Sequence, residues 1–461
     1  MTTDREKVLP IQLTLKDRLR ITGMPEDLRN EVMEKLSFDN PKWIENHRMG
    51  RWNRGTPKIL KFYAKAAGHA LIVPRGYIRQ IIHLCHQHSA TYEIADHRRV
   101  LTPVAYCFSG SLRPYQQTAV NRMLKKDFGT MSAPTGSGKT IMALYMIAMR
   151  QQPALVVVHT KELAFQWIER IAKFLGLSEN EIGFIGDGKR RVGGIITVAL
   201  VQSLYRCVDE VFKQTGHLIV DECHRIPSRT FTEAVIGFDC KYMLGLSATP
   251  WRRDGLSRLI FWHLGGVHHE MDAEQLIEEG AVLKAEVVVR ETEFKPYFDP
   301  VKEYSRMLSE LVADDARNRL IASDVAEEAE AHSGICLILS DRKSHCRTLH
   351  TLLKFGHKID AELLIGDMSA AERRAVLDRI NSGQVRVLVA TGQLIGEGFD
   401  CSNLSTLFMA TPVRFSGRVL QYLGRILRPA PGKSKARVFD YVDSRVDILK
   451  SAAEARKRIY G

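Results

Sequence analysis

The octapeptide APTGSGKT at 133–140 decides how this chain is read, because of what flanks it: FGTM at 128–131 before it and IMALYMIAM at 141–149 after it. A short apolar strand, a glycine-rich turn and an apolar helix in that order let backbone N–H groups close around phosphates. The helix N-terminus adds its favourable dipole. Lys139 then reaches the terminal phosphates and the Thr140 hydroxyl is free to ligate magnesium. The general pattern has glycine where this chain has Ala133.

Moving outward, the runs LVVVH (155–159), IITVAL (195–200), LIVDE (218–222) and MLGLSAT (243–249) are short and apolar, bounded by polar or glycine residues. Such runs alternating with helical stretches predict a parallel sheet covered on both faces. A charged segment at about 270–333 reads largely as helix and connector. The pattern then restarts with CLILS (336–340), LLIG (363–366), VRVLVAT (385–391) and TLFMAT (406–411). The expected fold class is therefore α/β, with two lobes in tandem behind a small N-terminal α+β domain in which Pro74 and Gly76 interrupt LIVPRGYI (71–78).

Two further segments bear on the phosphate site. Asp221 and Glu222 end an apolar strand, where the first carboxylate can hold Mg²⁺ and the second can orient or deprotonate the attacking water. In QYLGRILR (421–428), Arg425 and Arg428 are three residues apart and share a helical face. Arginine stabilises charge developing on a transferred phosphoryl group. Either pattern alone is equally at home on a solvated surface.

Composition fits this reading. The 461 residues exceed one ordinary core, and 66 Lys plus Arg against 53 Asp plus Glu leave a net charge of +13, which favours a polyanionic partner. Eight cysteines without a CxxC pair suggest reduced thiols and an intracellular, cytoplasmic or nuclear, setting. No apolar run approaches a membrane span, and residues 1–10 lack a signal-peptide core. His83, Cys85, His86 and His88 crowd one stretch but read as helix packing. Glu291, Glu293 and Lys295 are taken as connector surface, with no nuclease site expected.

Residues 51–80 hold Arg51, Arg54, Lys58, Lys61, Lys65, Arg75 and Arg79 without an acidic residue, interleaved with Trp52, Phe62, Tyr63 and Tyr77. Cations for phosphates and aromatic faces for bases make a nucleic-acid-binding mixture. The same pattern also suits aromatics in a core beneath a basic, solvated face.

Taken together and in order, these segments resemble the superfamily 2 helicases over about 110–445. LRPYQ (112–116) resembles the adenine-reading Q motif, HTKELAFQW (159–167) motif Ia, VALVQSL (198–204) motif Ib and DECH (221–224) motif II. Ser247-Ala248-Thr249 resembles motif III, ATGQLIGEGFD (390–400) motif V and QYLGRILR motif VI. The DECH box, ATPWRRDG (248–255) and the form of motif VI resemble the XPB branch, and the size and front domain resemble phage recombination helicases of the UvsW type. Residues 252–254 are Arg-Arg-Asp where XPB proteins carry Arg-Glu-Asp, so a transcription-factor role is not expected.

The resemblance implies two RecA-like lobes, 109–270 and 271–450, after an accessory nucleic-acid-binding domain at 1–108 and before a tail at 451–461. It implies ATP and Mg²⁺ as cofactors, with Lys139, Asp221, Glu222, Arg425 and Arg428 catalytic and Thr140 and Asp221 at the metal. Nucleotide contacts are expected from Arg113, Gln116, Ala133, Pro134, Thr135, Gly136, Ser137, Gly138, Gly398 and Asp400. Nucleic-acid contacts are expected from Thr160, Lys161, Gln202, Ser203 and Thr391, joined by Arg51, Arg54 and Lys58. Ser247, Thr249 and Gln421 would couple ATP state to grip. The implied activity is 3′ to 5′ movement on branched recombination or replication DNA by a monomer, in a bacterial or phage-infected cell and with replication or recombination proteins as partners. An RNA helicase and the motor subunit of a restriction or repair assembly are the alternatives.

Overall fold

The computed structural model describes residues 9–225, 234–248, 256–396, 401, 403–413, 416–430, 433 and 435–460. The chain forms two compact units, Met1–Ala133 with Lys139–Glu270, and Pro134–Gly138 with Met271–Gly461.

The first unit is built on a sheet of eight described strands. Their order is Lys189–Arg191, Gly183–Gly186, Ile196–Leu200, Ala154–Val158, His217–Val220, Tyr242–Ser247, Phe128–Ser132 and Val267–Glu270. All neighbours are parallel except the first pair. The central strands are buried along their whole length, which is why they read as unbroken apolar runs rather than alternating ones. Helix Lys161–Leu175 shows how its cover is specified. Thr160 caps it by accepting from Leu163 N, Gly176 ends it at φ 68°, and Ala164, Trp167, Ile171 and Leu175 bury one stripe.

The N-terminal segment has its own five-stranded sheet, ordered Ala64–Ala66, Ala70–Pro74, Arg18–Thr22, Ile11–Leu15 and Tyr92–Asp96. It is not a separate body. Its core side chains Leu19, Ile21, Tyr77 and Ile81 pack with Leu256, Leu259 and Trp262 beside and on helix Ser257–Leu264. Arg75 is buried, and its Nη1 donates to Phe238 O and Cys240 O at 3.3 and 2.9 Å. A Cβ on Gly76 would stand 2.4 Å from Phe261 O, so glycine is what allows this approach. The basic segment thus divides: Arg75 and Tyr77 serve the core, while Arg51, Arg54 and Lys58 are exposed.

The second unit carries six described parallel strands. These run Ala285–Glu291, Ala436–Val442, Leu404–Met409, Ile335–Ser340, Val387–Thr391 and Ala361–Leu364. Two sequence expectations change here. The segment 270–333 is not only helix and connector: Ala285–Glu291 pairs with Ala436–Val442 as an edge strand, half-exposed and therefore charged enough to mask its strand pattern. Residues 451–461 are not a tail: they belong largely to helix Asp447–Tyr460, with Ala452 and Ala453 buried and Arg456 paired with Asp440. Among the described residues, no helix is long and apolar enough to cross a membrane.

Candidate nucleotide and nucleic-acid site

In the first unit, the ends of three neighbouring strands gather the phosphate-site residues. Phe128–Ser132 leads to Ala133, His217–Val220 leads to Asp221 and Glu222, and Tyr242–Ser247 ends in Ser247. Ligand sites outside the carboxyl ends of parallel strands are the general rule for such sheets. Ala133 N donates to Ser247 O at 2.9 Å, and the backbone at Ala133 has no positive φ. The departure from glycine therefore costs no strain. Gly136 and Gly138 do have positive φ, 93° and 87°, the local twist that turns successive N–H groups toward one anion.

Lys139 opens helix Lys139–Arg150 and is nearly buried. Its Nζ donates to Ala133 O at 2.9 Å and lies 3.9 Å from Glu222 Oε1. Asp221 is held twice: Trp167 Nε1 donates to its Oδ2 and Glu222 N donates to its Oδ1, both at 2.8 Å. Burial, and then the adjacent Glu222 charge, raise the pKa of Asp221. A divalent cation would offset both effects, and Mg²⁺ suits a site of one or two carboxylates completed by phosphates and water. The Thr140 hydroxyl accepts from Arg170 Nη1 at 2.8 Å. Ser247 Oγ and His224 Nδ1 are 2.8 Å apart, and the same ring nitrogen lies 3.4 Å from Glu222 Oε2. The residues present fit a nucleotide with its metal: Lys139 for phosphate, Thr140 and Asp221 for the cation, Glu222 for water.

Gln116 is buried and its Oε1 accepts from Arg113 N at 3.0 Å, capping helix Pro114–Leu124. Thr160, Lys161, Gln202 and Ser203 follow two adjacent strands, and Gln202 Nε2 donates to His159 O at 3.0 Å, tying the two segments together. Lys161 is exposed and pairs with Asp187.

In the second unit, Arg425 lies on helix Ser416–Ile426, as does Gln421, whereas Arg428 sits just past its end. Lys433 Nζ bonds Ile426 O and Arg428 O, closing that helix terminus. Within this unit, a Cβ on Gly136 would be 3.3 Å from both Arg428 Cγ and Gly424 O. Thr391 ends strand Val387–Thr391. Thr249, Gly398 and Asp400 lie outside the described residues. Elsewhere, His88 pairs with Glu31, Cys85 is buried and Glu293 pairs with Arg445.

Trp167 and Arg170 were absent from the sequence-based site. Their three-residue spacing on one helix was the available signal, but only the fold reveals that Asp221 and Thr140 face them.

Two family descriptions match the chain: "Type III restriction enzyme, res subunit" over residues 109–252 and "Helicase conserved C-terminal domain" over 313–430. The DNA 3′-5′ translocase XPB2 of Sulfurisphaera tokodaii is 30% identical over 350 residues, covering 69% of this chain and 78% of that protein. A protein of Acanthamoeba polyphaga mimivirus, provisionally named an ATP-dependent RNA helicase, is 28% identical over 371 residues, 77% of this chain and 68% of its own. In fold, the chain resembles Saccharomyces cerevisiae Dbp5 bound to RNA and ADP BeF3, with TM-score 0.55, 14% identity, and 76% and 87% of the two chains covered. With two RecA-like lobes, a phosphate-binding turn and paired strand-end carboxylates, the chain belongs to the superfamily 2 helicases and is a nucleic-acid-dependent ATPase.

Proposed function

We propose that this enzyme is an ATP- and Mg²⁺-dependent DNA helicase or translocase that moves 3′ to 5′ and remodels branched recombination or replication intermediates. The observation that carries the ATPase half is the grouping of Asp221, Glu222 and Ser247 at adjacent strand ends with Lys139 at the start of helix Lys139–Arg150, Glu222 partly buried and the others buried. Lys139 neutralises phosphate, Thr140 and Asp221 hold the cation, Glu222 orients water, and Arg425 and Arg428 stabilise the transferred phosphoryl group.

DNA as the track is supported by the translocase relative, by the resemblance to the XPB branch and to phage recombination helicases, and by the exposed cations Arg51, Arg54 and Lys58. Thr160, Lys161, Gln202, Ser203 and Thr391 would grip the backbone, a role suited to hydroxyl, amide and ammonium groups that do not read sequence. Gln116 and Arg113 would meet the base of ATP, with Gly398 and Asp400 at its sugar and phosphates. Ser247, Thr249 and Gln421 would link nucleotide state to grip.

ATPase stimulation and strand displacement on single-stranded, forked and four-way-junction DNA and on RNA duplexes test this reading. Branched DNA should stimulate most. Preference for RNA would overturn it in favour of an RNA helicase, and stimulation without displacement would make the enzyme a translocase.

A further inference from the structure

Between the core strands, Ser37–Lys61 forms a small excursion. Strand Ser37–Asp39 pairs antiparallel with Ile59–Lys61, and helix Pro41–Arg48 with the loop 49–58 fills the interval. Asparagines tie the loop down: Asn46 Nδ2 donates to Asn53 Oδ1 at 3.0 Å, Asn53 Nδ2 to Trp43 O at 3.2 Å and Asn40 Nδ2 to Pro57 O at 2.9 Å. The loop is thus built, yet one of its residues is turned outward. Trp52 is 81% exposed, although nearby aromatics find a core: Phe62 stacks on Phe38 at 5.5 Å, and both meet Trp262.

What surrounds Trp52 is cationic. The Arg54 guanidinium lies 5.6 Å from its ring centroid and the Lys58 ammonium 5.5 Å from that of Trp43. Arg48, Arg51 and Lys61 are also exposed, and no acidic residue occurs from 46 to 61. An indole held in water on an ordered loop, beside guanidinium groups, has a flat π face for a nucleobase and charges for the adjoining phosphates. Ile44, Met49 and Ile59 are exposed on the same excursion, but the pairing of the indole with Arg54 and the absence of acidic residues from 46 to 61 favour a strand that offers both a base and phosphates.

We propose that Trp52 stacks on an unpaired base of the bound strand while Arg51, Arg54 and Lys58 take its phosphates. This rests on the nucleic-acid reading above and adds a base contact outside the motor motifs. The excursion is mounted firmly: Phe38 packs against Trp262 and under Arg258, 4.3 Å from its ring, and both partners lie on helix Ser257–Leu264 of the first lobe. The stacked base is therefore carried with that lobe.

Fluorescence anisotropy of a labelled oligodeoxythymidine, with an oligoribouridine arm, tests the assignment on the full chain. Trp52→Ala should bind about tenfold more weakly, the usual size of one lost base stack. Trp52→Phe should stay within about threefold of wild type, yet lose most of the oligonucleotide-induced quenching of tryptophan emission. Trp52 is exposed, so both variants should melt as wild type does. Unchanged affinity and unchanged quenching in Trp52→Ala would overturn the proposal, as would quenching by anionic phospholipid vesicles but by neither oligonucleotide. A wild-type enzyme whose ATPase no DNA stimulates would instead count against the DNA reading, and that result is seen before any variant is made.

Discussion

Trp167 Nε1 donates to Asp221 Oδ2 across 2.8 Å, from a helix whose N-cap is Thr160. One turn further along, Arg170 donates to Thr140 Oγ1 at 2.8 Å. One helix therefore touches both proposed cation ligands, and its first turn holds two proposed nucleic-acid contacts.

Trp167→Phe keeps an aromatic ring but removes the N–H and part of the buried indole's volume, leaving Asp221 with one fewer anchor in a buried site. Loss of such a bond to a charged acceptor is worth about 1.5–3 kcal/mol at most. We expect DNA-stimulated kcat to fall roughly tenfold and the Mg²⁺ requirement to shift upward, with a modest change in Tm. Steady-state ATPase across a magnesium titration checks this, and an unaltered titration would remove Trp167 from the site.

Lys139→Ala should abolish ATP turnover while leaving DNA binding measurable, because the lysine is proposed to serve phosphate and is not among the proposed nucleic-acid contacts. Glu222→Gln should separate binding from chemistry: a fluorescent ATP analogue still binds, but phosphate release drops by at least about a hundredfold, as for loss of a general base. Appreciable DNA-stimulated hydrolysis by the lysine variant would contradict the assignment.

Acid should weaken the second unit through His345. This ring is buried, with Nδ1 3.0 Å from Ser340 Oγ and Nε2 2.7 Å from Asn318 Oδ1. Burial, and then the charge of Arg317, push its pKa down to about 3. The unfolded chain takes up a proton near the ordinary histidine value of about 6.5, whereas the folded chain does so only near 3. Stability contributed here is complete above the unfolded value and is lost as pH falls toward the folded one, by about 1.4 kcal/mol per pH unit within that window. Urea midpoints at pH 7 and pH 5 should differ less for His345→Gln than for wild type.

The terminal helix supplies the fourth prediction. Arg456 donates from Nε and Nη2 to the Asp440 carboxylate at 2.7–3.1 Å, and both residues are buried. Arg456→Met would take the Nε and Nη2 donors away from a buried carboxylate and should cost about 3–5 kcal/mol. Thermal unfolding reads this directly, and a Tm equal to wild type would return 451–461 to the status of a tail.

The strands of both lobes were legible wherever they are central, because burial on two faces produces the same unbroken apolar run whichever lobe it serves. Ala285–Glu291 was not, since a half-exposed edge strand tolerates Glu286, Arg290 and Glu291 and so imitates a connector. The N-terminal mixture of cations and aromatics could not be apportioned from its pattern. Arg75 and Arg54 look alike in a sequence, and only packing sends one to the carbonyls of Phe238 and Cys240, just before strand Tyr242–Ser247, and leaves the other in water beside Trp52.

By itself, then, the sequence determined the phosphate turn, the strand-end carboxylates and the tandem α/β order, because these depend on neighbours in the chain. Tertiary structure decided what lies against them: Trp167 on Asp221, Arg170 on Thr140, and Phe38 and Phe62 on Trp262. Those partners are distant in the chain, and hydrogen bonds and ring packing between distant residues leave no local periodicity to read.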